Sequence, residues 1–449
     1  MPTTTRYRYR WAALAVLLTA EAMNLLDATI VQVAGPVIHA ELPGPAADIP
    51  WFSAAYTLPF AVLLITGGRL GDVFGRARVF KLGVAGFVLA SLVCAAAPAA
   101  GLLITARAVQ GAAAALVIPQ TIGLIRALFD GDERAKALGT IGPVMGLSAV
   151  TGPLLGGLLT HALSWRAVFL VNVPLGLAVL FAARFLREDK AVTRPKLDLA
   201  GTLLVVTGIG LVVYPLISPA GTSWWLLAAG AAVLAVFALQ QRRTSAPLVE
   251  PSLFANRGFP SALAGSLLFF AMMTGLMQVV PMQLQLGEGA DVRTAGLTLL
   301  PLSAGLAVAS WFAGSRLVPK FGARVMFAGL ALALIGTLAL SLIGTAALSP
   351  IGMGGALAVC GLGMGTFTVP FFTAALDRVR PHETGSAAGL LNAVQQLGGT
   401  LGVALLGGLY LIGDRDLIGD RAATAFGVAA GLTVAAAIAV VPLSSRRAR

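Results

Sequence analysis

The chain has 449 residues, of which 57% are hydrophobic and only 11% charged, with a formal net charge of +12 and a mean hydropathy of +0.88. That balance excludes a water-soluble globule of this length and marks an all-α polytopic membrane protein. The basic excess would suggest nucleic acid as a partner in a soluble chain; here it has a topological explanation, and no nucleic acid is expected.

The first apolar run, 11–36, contains Glu21, Asn24 and Asp27. Spaced i, i+3, i+6, they form one polar ridge on an otherwise oily helix. At ~1.5 Å per residue, a helix entering the bilayer near Trp11 brings Glu21 near mid-depth and Asp27 roughly 9 Å beyond it. An ionisable side chain there is costly unless it faces a water-filled path or a partner, and it suits a group that takes up and releases a proton. A carboxyl hydrogen-bonded to a neighbouring helix for packing alone would fit the same placement. Arg6, Arg8 and Arg10 precede this run as in a signal peptide, but the run is long, carries acids and lacks a clear cleavage site. It is expected to stay.

Fourteen apolar runs are long enough to span: 11–36, 49–67, 79–97, 101–125, 137–159, 166–183, 198–217, 223–240, 261–284, 295–314, 325–345, 350–375, 385–411 and 422–442. With a cytoplasmic N-terminus, 26 of the 31 Lys and Arg residues fall on the inner side. A wrong number of spans would scramble that bias, so both termini are expected in the cytoplasm of a cell whose inner membrane holds the chain. Every acid except Glu21 and Asp27 lies in a loop or at a helix end, and Arg107 is the one basic residue placed inside a span.

An internal repeat organises the spans. Gly67, Arg69, Leu70, Phe74 and Gly75 recur 247 positions later as Gly314, Arg316, Leu317, Phe321 and Gly322; 251 positions on, Ile118–Pro119 is matched by Val369–Pro370 and Gly156–Gly157–Leu158 recurs as Gly407–Gly408–Leu409. The offset leaves room for two extra helices between the halves. The expected organisation is a six-helix bundle over 1–190, two inserted helices over 191–245 with no polar face, and a second six-helix bundle over 246–449. A ligand site is expected near mid-membrane, where the repeats meet.

Three motifs carry chemistry. Between spans 2 and 3, residues 68–78 read GRLGDVFGRAR: Gly68 and Gly75 permit a tight turn, and Asp72 is placed to pair with Arg76 or Arg78. Such a cluster can latch one half of the molecule against the other. In span 4, LITARAVQG contains Arg107 and Gln110, and the only buried acids available to the arginine are in span 1. In span 5, Gly139, Ser148, Gly152, Pro153, Gly156 and Gly157 let another helix approach closely, and Pro153 removes a backbone donor. A merely glycine-rich packing face would not require that spacing.

These stretches resemble signatures of the major facilitator superfamily. Residues 68–78 are similar to G-x-L-[AG]-D-x-x-G-R-[RK]-[RK], with Ala77 at one basic place, and Pro319 stands where the second half would repeat Asp72. Arg107 falls where the family's second signature has an arginine linked to proton coupling, whereas the second half has Gly354 or Gly355 there. The span-5 pattern resembles the antiporter signature G-(x8)-G-(x3)-G-P-(x2)-G-G, with Ser148 replacing a glycine. The stretches 26–36, 165–174, 281–285 and 389–398 extend the resemblance to the fourteen-helix drug:proton antiporters, from which Gln32 departs and to whose pattern Glu21 does not belong.

The resemblance implies a major facilitator fold and proton-driven efflux of amphipathic small molecules such as drugs or antibiotics, with Asp27, Arg107 and Glu21 as proton-coupling candidates. Substrate contacts are sought in Asn24, Gln110, Met277, Gln278, Gln283, Asn392, Gln395 and Gln396, since methionine adapts to shape and amides both donate and accept. Uptake, facilitated diffusion, or a channel or receptor on the same fold are the alternatives. No phosphate-cradling loop, nucleophile elbow or metal-ligand spacing occurs, and Cys94 and Cys360 lie in apolar runs. Neither enzyme activity, cofactor, metal nor disulfide is expected. The expected partners are the substrate, protons and the lipid bilayer, around a monomer.

Overall fold

A computed structural model describes residues 7–190, 197–217, 224–244, 247–254, 258–343, 350–377, 379–380, 383–412 and 418–444. The expected boundaries at 190/191 and 245/246 fall at or inside stretches outside the described residues. So do Arg6, Arg194, Lys196, Arg257, Arg378, Arg415, Arg446, Arg447 and Arg449 of the charge bias, and His382. The described residues are helical and contain no strand. Among them, thirteen stretches are long and apolar enough to cross a membrane; one, Val292–Leu342, is 51 residues long and holds two expected spans.

Divided there, the helices are α1 (Arg10–Glu41), α2 (Asp48–Phe74), α3 (Arg76–Ala96) and α4 (Ala100–Leu128). Next come α5 (Gly131–Ala162), with a turn at Thr140, and α6 (Ala167–Phe185). Then follow α7 (Leu199–Ile217), α8 (Trp224–Arg243) and α9 (Gly258–Gly287), which ends in a π turn. The last five are α10 (292–321), α11 (Val325–Ile343), α12 (Pro350–Leu376), α13 (Thr384–Ile412) and α14 (Ile418–Ala439). The long stretch divides because α10 relaxes into a π turn at Ala313–Leu317 and closes at Gly322.

Glycine sets two of these boundaries. Gly75 joins α2 to α3 in a single residue with φ +105, a conformation that L side chains rarely adopt, and its N–H donates to the Gly71 carbonyl at 2.8 Å. Its repeat partner Gly322, with φ +60, ends α10 in the same way. The packing repeats as well. The pairs α1–α5, α2–α4 and α3–α4 recur as α9–α13, α10–α12 and α11–α12.

The inserted hairpin packs α7 on α8 and lays α7 against α2 and α13. Leu199, Leu203, Trp224, Trp225 and Leu239 stay exposed, as lipid-facing positions do. A polar cluster closes the base of the hairpin. There Asp198 accepts from Gly201 N (2.8 Å), Gln240 Nε2 (3.0 Å) and Gln241 Nε2 (2.7 Å), and Gln241 Oε1 accepts from Leu248 N at 2.6 Å.

The end of the bundle bearing Arg69, Arg76 and Arg126 is here called the basic end. At the other end, Gly157 of α5 lies against the backbone of Val292 and Gly296 in α10. There Gln285 donates to the Val33 carbonyl at 2.9 Å, and His161 comes within 3.6 Å of Asp291. Towards the basic end, a Cβ added at Gly139, Gly142 or Gly146 of α5 would meet nothing within 4 Å. A cavity of about 500 Å³ opens there between α2, α4, α13 and residues 248–253.

Candidate functional site

Asp27 and Arg107 are completely buried and meet side by side. Arg107 lies on α4 one turn before the point where α4 crosses α2 closely: a Cβ at Gly111 would lie 2.8 Å from the Tyr56 carbonyl carbon. Its Nε donates to the Phe52 carbonyl at 2.9 Å, and its Nη1 donates to Asp27 Oδ2 and, at 2.7 Å, to Gln110 Oε1. The guanidinium lies 4.3 Å from the centre of the Tyr56 ring and 5.8 Å from that of Phe169, aromatic faces that favour a desolvated cation.

The other Asp27 oxygen, Oδ1, accepts from Gln110 Nε2 at 2.9 Å and from Asn172 Nδ2 at 2.7 Å. Behind both amides, Ser91 Oγ accepts from Gln110 at 2.8 Å and Asn172 at 3.3 Å. The carboxyl thus receives donors on both oxygens, the arrangement suited to its anionic form. A buried ion pair in hydrocarbon depends on such partners; of the guanidinium nitrogens only Nη2 meets no acceptor among the described residues. Five helices contribute: α1 the acid, α2 the Phe52 carbonyl and the Tyr56 ring, α3 the hydroxyl, α4 the guanidinium and one amide, and α6 the second amide.

Of the other expected residues, Asn24 adjoins this cluster, its side-chain oxygen accepting from Tyr56 Oη at 3.4 Å. Glu21 is half-buried and has no hydrogen bond or ion pair among the described residues. Met277 and Gln278 are buried in α9, where Gln278 Oε1 accepts from Ser53 Oγ of α2 at 3.3 Å. Gln283 accepts from Tyr410 Oη at 3.0 Å. Asn392 lines the basic-end cavity, and Gln395 and Gln396 are half-buried beside it on α13. The structure therefore gathers Asn24, Gln110, Asp27 and Arg107, and leaves the α9 and α13 amides apart from them.

In the turn motif, Arg76 pairs with Asp72 Oδ1 at 2.8 Å and with Asp189 Oδ2 at 3.1 Å, and Glu188 Oε1 accepts from Ala77 N at 3.0 Å. Those contacts tie the α2–α3 turn to the tail of α6, and Arg78 stays exposed. Gly68 lies against Pro119. The connection onward is made by Arg69, whose guanidinium donates to the Pro247 carbonyl. In the span-5 motif, Ser148, Gly152, Pro153, Gly156 and Gly157 are buried, with Gly152 and Gly156 against Thr29 and Ile30 of α1. Gly139 faces open space.

Sequence reasoning missed Ser91, Asn172, Phe52 and Tyr56. Only Asn172 carries a signal, since it stands in the 165–174 stretch that bears the family resemblance. The rest are common residue types in ordinary apolar runs.

An all-helical chain with this many apolar spans, and with an ion pair buried at their centre, is a multi-pass membrane transporter. Its family follows from comparison: the Major Facilitator Superfamily model matches residues 17–403, and the chain belongs to that superfamily. It is 42% identical over 421 residues to the "Probable actinorhodin transporter" of Streptomyces coelicolor, covering 90% of this chain and 73% of that protein. It is 38% identical to the puromycin resistance protein pur8 of Streptomyces alboniger, covering 88% and 81%. With the multidrug resistance protein Stp of Mycobacterium tuberculosis the identity is 34%, covering 86% and 73%. Among solved structures, a D-xylose-proton symporter matches with a TM-score of 0.70 at 14% identity over 97% of this chain and 98% of that one, a likeness of fold.

Proposed function

We propose that this chain is a proton-coupled exporter of amphipathic small molecules, working as a monomeric antiporter in the cell membrane with both termini in the cytoplasm. The names of the relatives support efflux of antibiotics such as actinorhodin and puromycin. The observation that carries proton coupling is the wholly buried Asp27 carboxyl held by Arg107, Gln110 and Asn172.

In one state the guanidinium and the two amides stabilise the carboxylate. In the other, the pairing is loosened and an unpartnered charge in hydrocarbon is too costly, so Asp27 takes a proton. A polar or cationic substrate group that competes for the same donors or the same carboxyl makes proton entry and substrate exit mutually exclusive, as antiport requires. Glu21 is a second carboxyl on the same helix face. The signature turn around Asp72 and Arg76 acts as the conformational latch, and the span-5 glycines form the seam on which the two six-helix bundles, joined by the α7–α8 insertion, rock.

Efflux from reconstituted vesicles under an imposed proton gradient tests this, with puromycin and actinorhodin as substrates. Asp27→Asn keeps the shape and removes the charge. It is expected to abolish gradient-driven efflux with expression and membrane insertion intact. Undiminished, still pH-dependent efflux by Asp27→Asn would overturn the assignment.

A further inference from the structure

We propose that Asn172 is a positioning residue through which the proton on Asp27 is sensed by α3 and α6; the inference rests on the proton-coupled reading above. The hydrogen bonds of the cluster carry it. Both N–H groups of Asn172 are engaged, one by Asp27 Oδ1 at 2.7 Å and the other by Ser91 Oγ at 3.3 Å. Gln110 is spent in the same way, and its Oε1 already accepts from Arg107. Asn172 Oδ1, by contrast, is buried and meets no donor among the described residues.

A proton taken from water onto Asp27 turns an acceptor into a donor, and the new O–H needs an acceptor in a site closed to solvent. The unspent oxygen of Asn172 supplies one. A half-turn of the amide about its terminal side-chain bond presents Oδ1 to Asp27 and withdraws an N–H from Ser91. No covalent bond other than the new O–H is made, and no backbone need move first. The amide thus has one orientation for the carboxylate and another for the acid, and each has different consequences for α3 and α6.

The charged and titratable groups facing Asp27 are Arg107 from α4, Tyr56 from α2 and Cys94 from α3, with Glu21 on α1 itself. α5 packs on α1 through Gly152 and Gly156, at Thr29 and Ile30, and α6 contributes Asn172; none of these three titrates. Asn172 is therefore a polar contact to Asp27 that is removable without altering any charge.

The test is infrared spectroscopy of the purified full-length protein in lipid, following the carboxyl C=O stretch that Asp27→Asn removes. In Asn172→Leu this band is expected to change frequency and to persist to a pH higher by about one to two units, because a hydrogen bond to the charged form has been lost. Ser91→Ala, which removes only the support behind the amide, should shift it in the same direction by less. It serves as the second variant if Asn172→Leu does not fold. An unchanged band frequency and midpoint in variants that melt like the parent would show that Asn172 is structural only and overturn the proposal. If no titrating band disappears in Asp27→Asn, proton coupling at Asp27 itself fails, a result distinct from failure at Asn172.

Discussion

Arg107 donates from Nε to the Phe52 carbonyl and from Nη1 to Asp27 and Gln110, while its plane is flanked by Tyr56 and Phe169. A lysine would bring one compact charge and could not span these directions at once. Arg107→Lys is therefore expected to lower gradient-driven efflux at least about tenfold, since loss of even one charge-assisted hydrogen bond is worth that factor. Initial efflux rates at matched protein amounts check it. Glu21 shares the helix face but lacks a described partner, so its carboxyl is available to a ligand as well as to a proton. Glu21→Gln should alter which substrates leave, reducing cationic ones more than neutral ones, and should spare coupling. Equal losses for a cationic and an uncharged substrate would argue against that role.

Between elements, close approach decides which substitutions matter. A Cβ at Gly156 would lie 2.8 Å from the Ile30 carbonyl oxygen, and one at Gly157 would lie 2.8 Å from that of Val292, whereas Gly139 has open space around it. Gly156→Val should cost about 1–3 kcal/mol through overpacking and loosen the seam between α5 and α1. Gly139→Ala should be close to neutral at that contact. Thiol modification of a cysteine placed at the buried Ile30 reads the difference: Gly156→Val should speed labelling, and Gly139→Ala should not. The same motif thus contains positions with unequal burdens, although its spacing presents them as equivalent.

Across the whole molecule, the signature turn is tied through Arg76 to the α6 tail and through Arg69 to the segment of chain following α8. Asp72→Asn weakens that tether far from the buried ion pair, so it should slow turnover while leaving substrate affinity nearly unchanged; a sharp fall in affinity at constant turnover would contradict it. For the inserted hairpin, Trp224→Cys and Arg243→Cys should react with an impermeant reagent from opposite sides of the membrane.

The number of spans, the charge bias, the repeat and the need of Arg107 for an acid in the first span can all be derived from sequence alone. Hydropathy, charge and the cost of a buried ion act residue by residue against the bilayer, so they leave a local record. The repeat pair Gly75 and Gly322 is visible in the same way, and both take a positive φ. What only the tertiary structure decided is which other groups complete the site and clamp the hairpin. Ser91 and Asn172 reach the Asp27 cluster from helices that begin far along the chain, and Asp198 finds Gln241 across the α7–α8 hairpin. Those meetings depend on the rotation and crossing of packed helices. A serine or asparagine in an apolar run looks the same whether it faces lipid, a neighbouring helix or a buried carboxylate, until packing chooses for it.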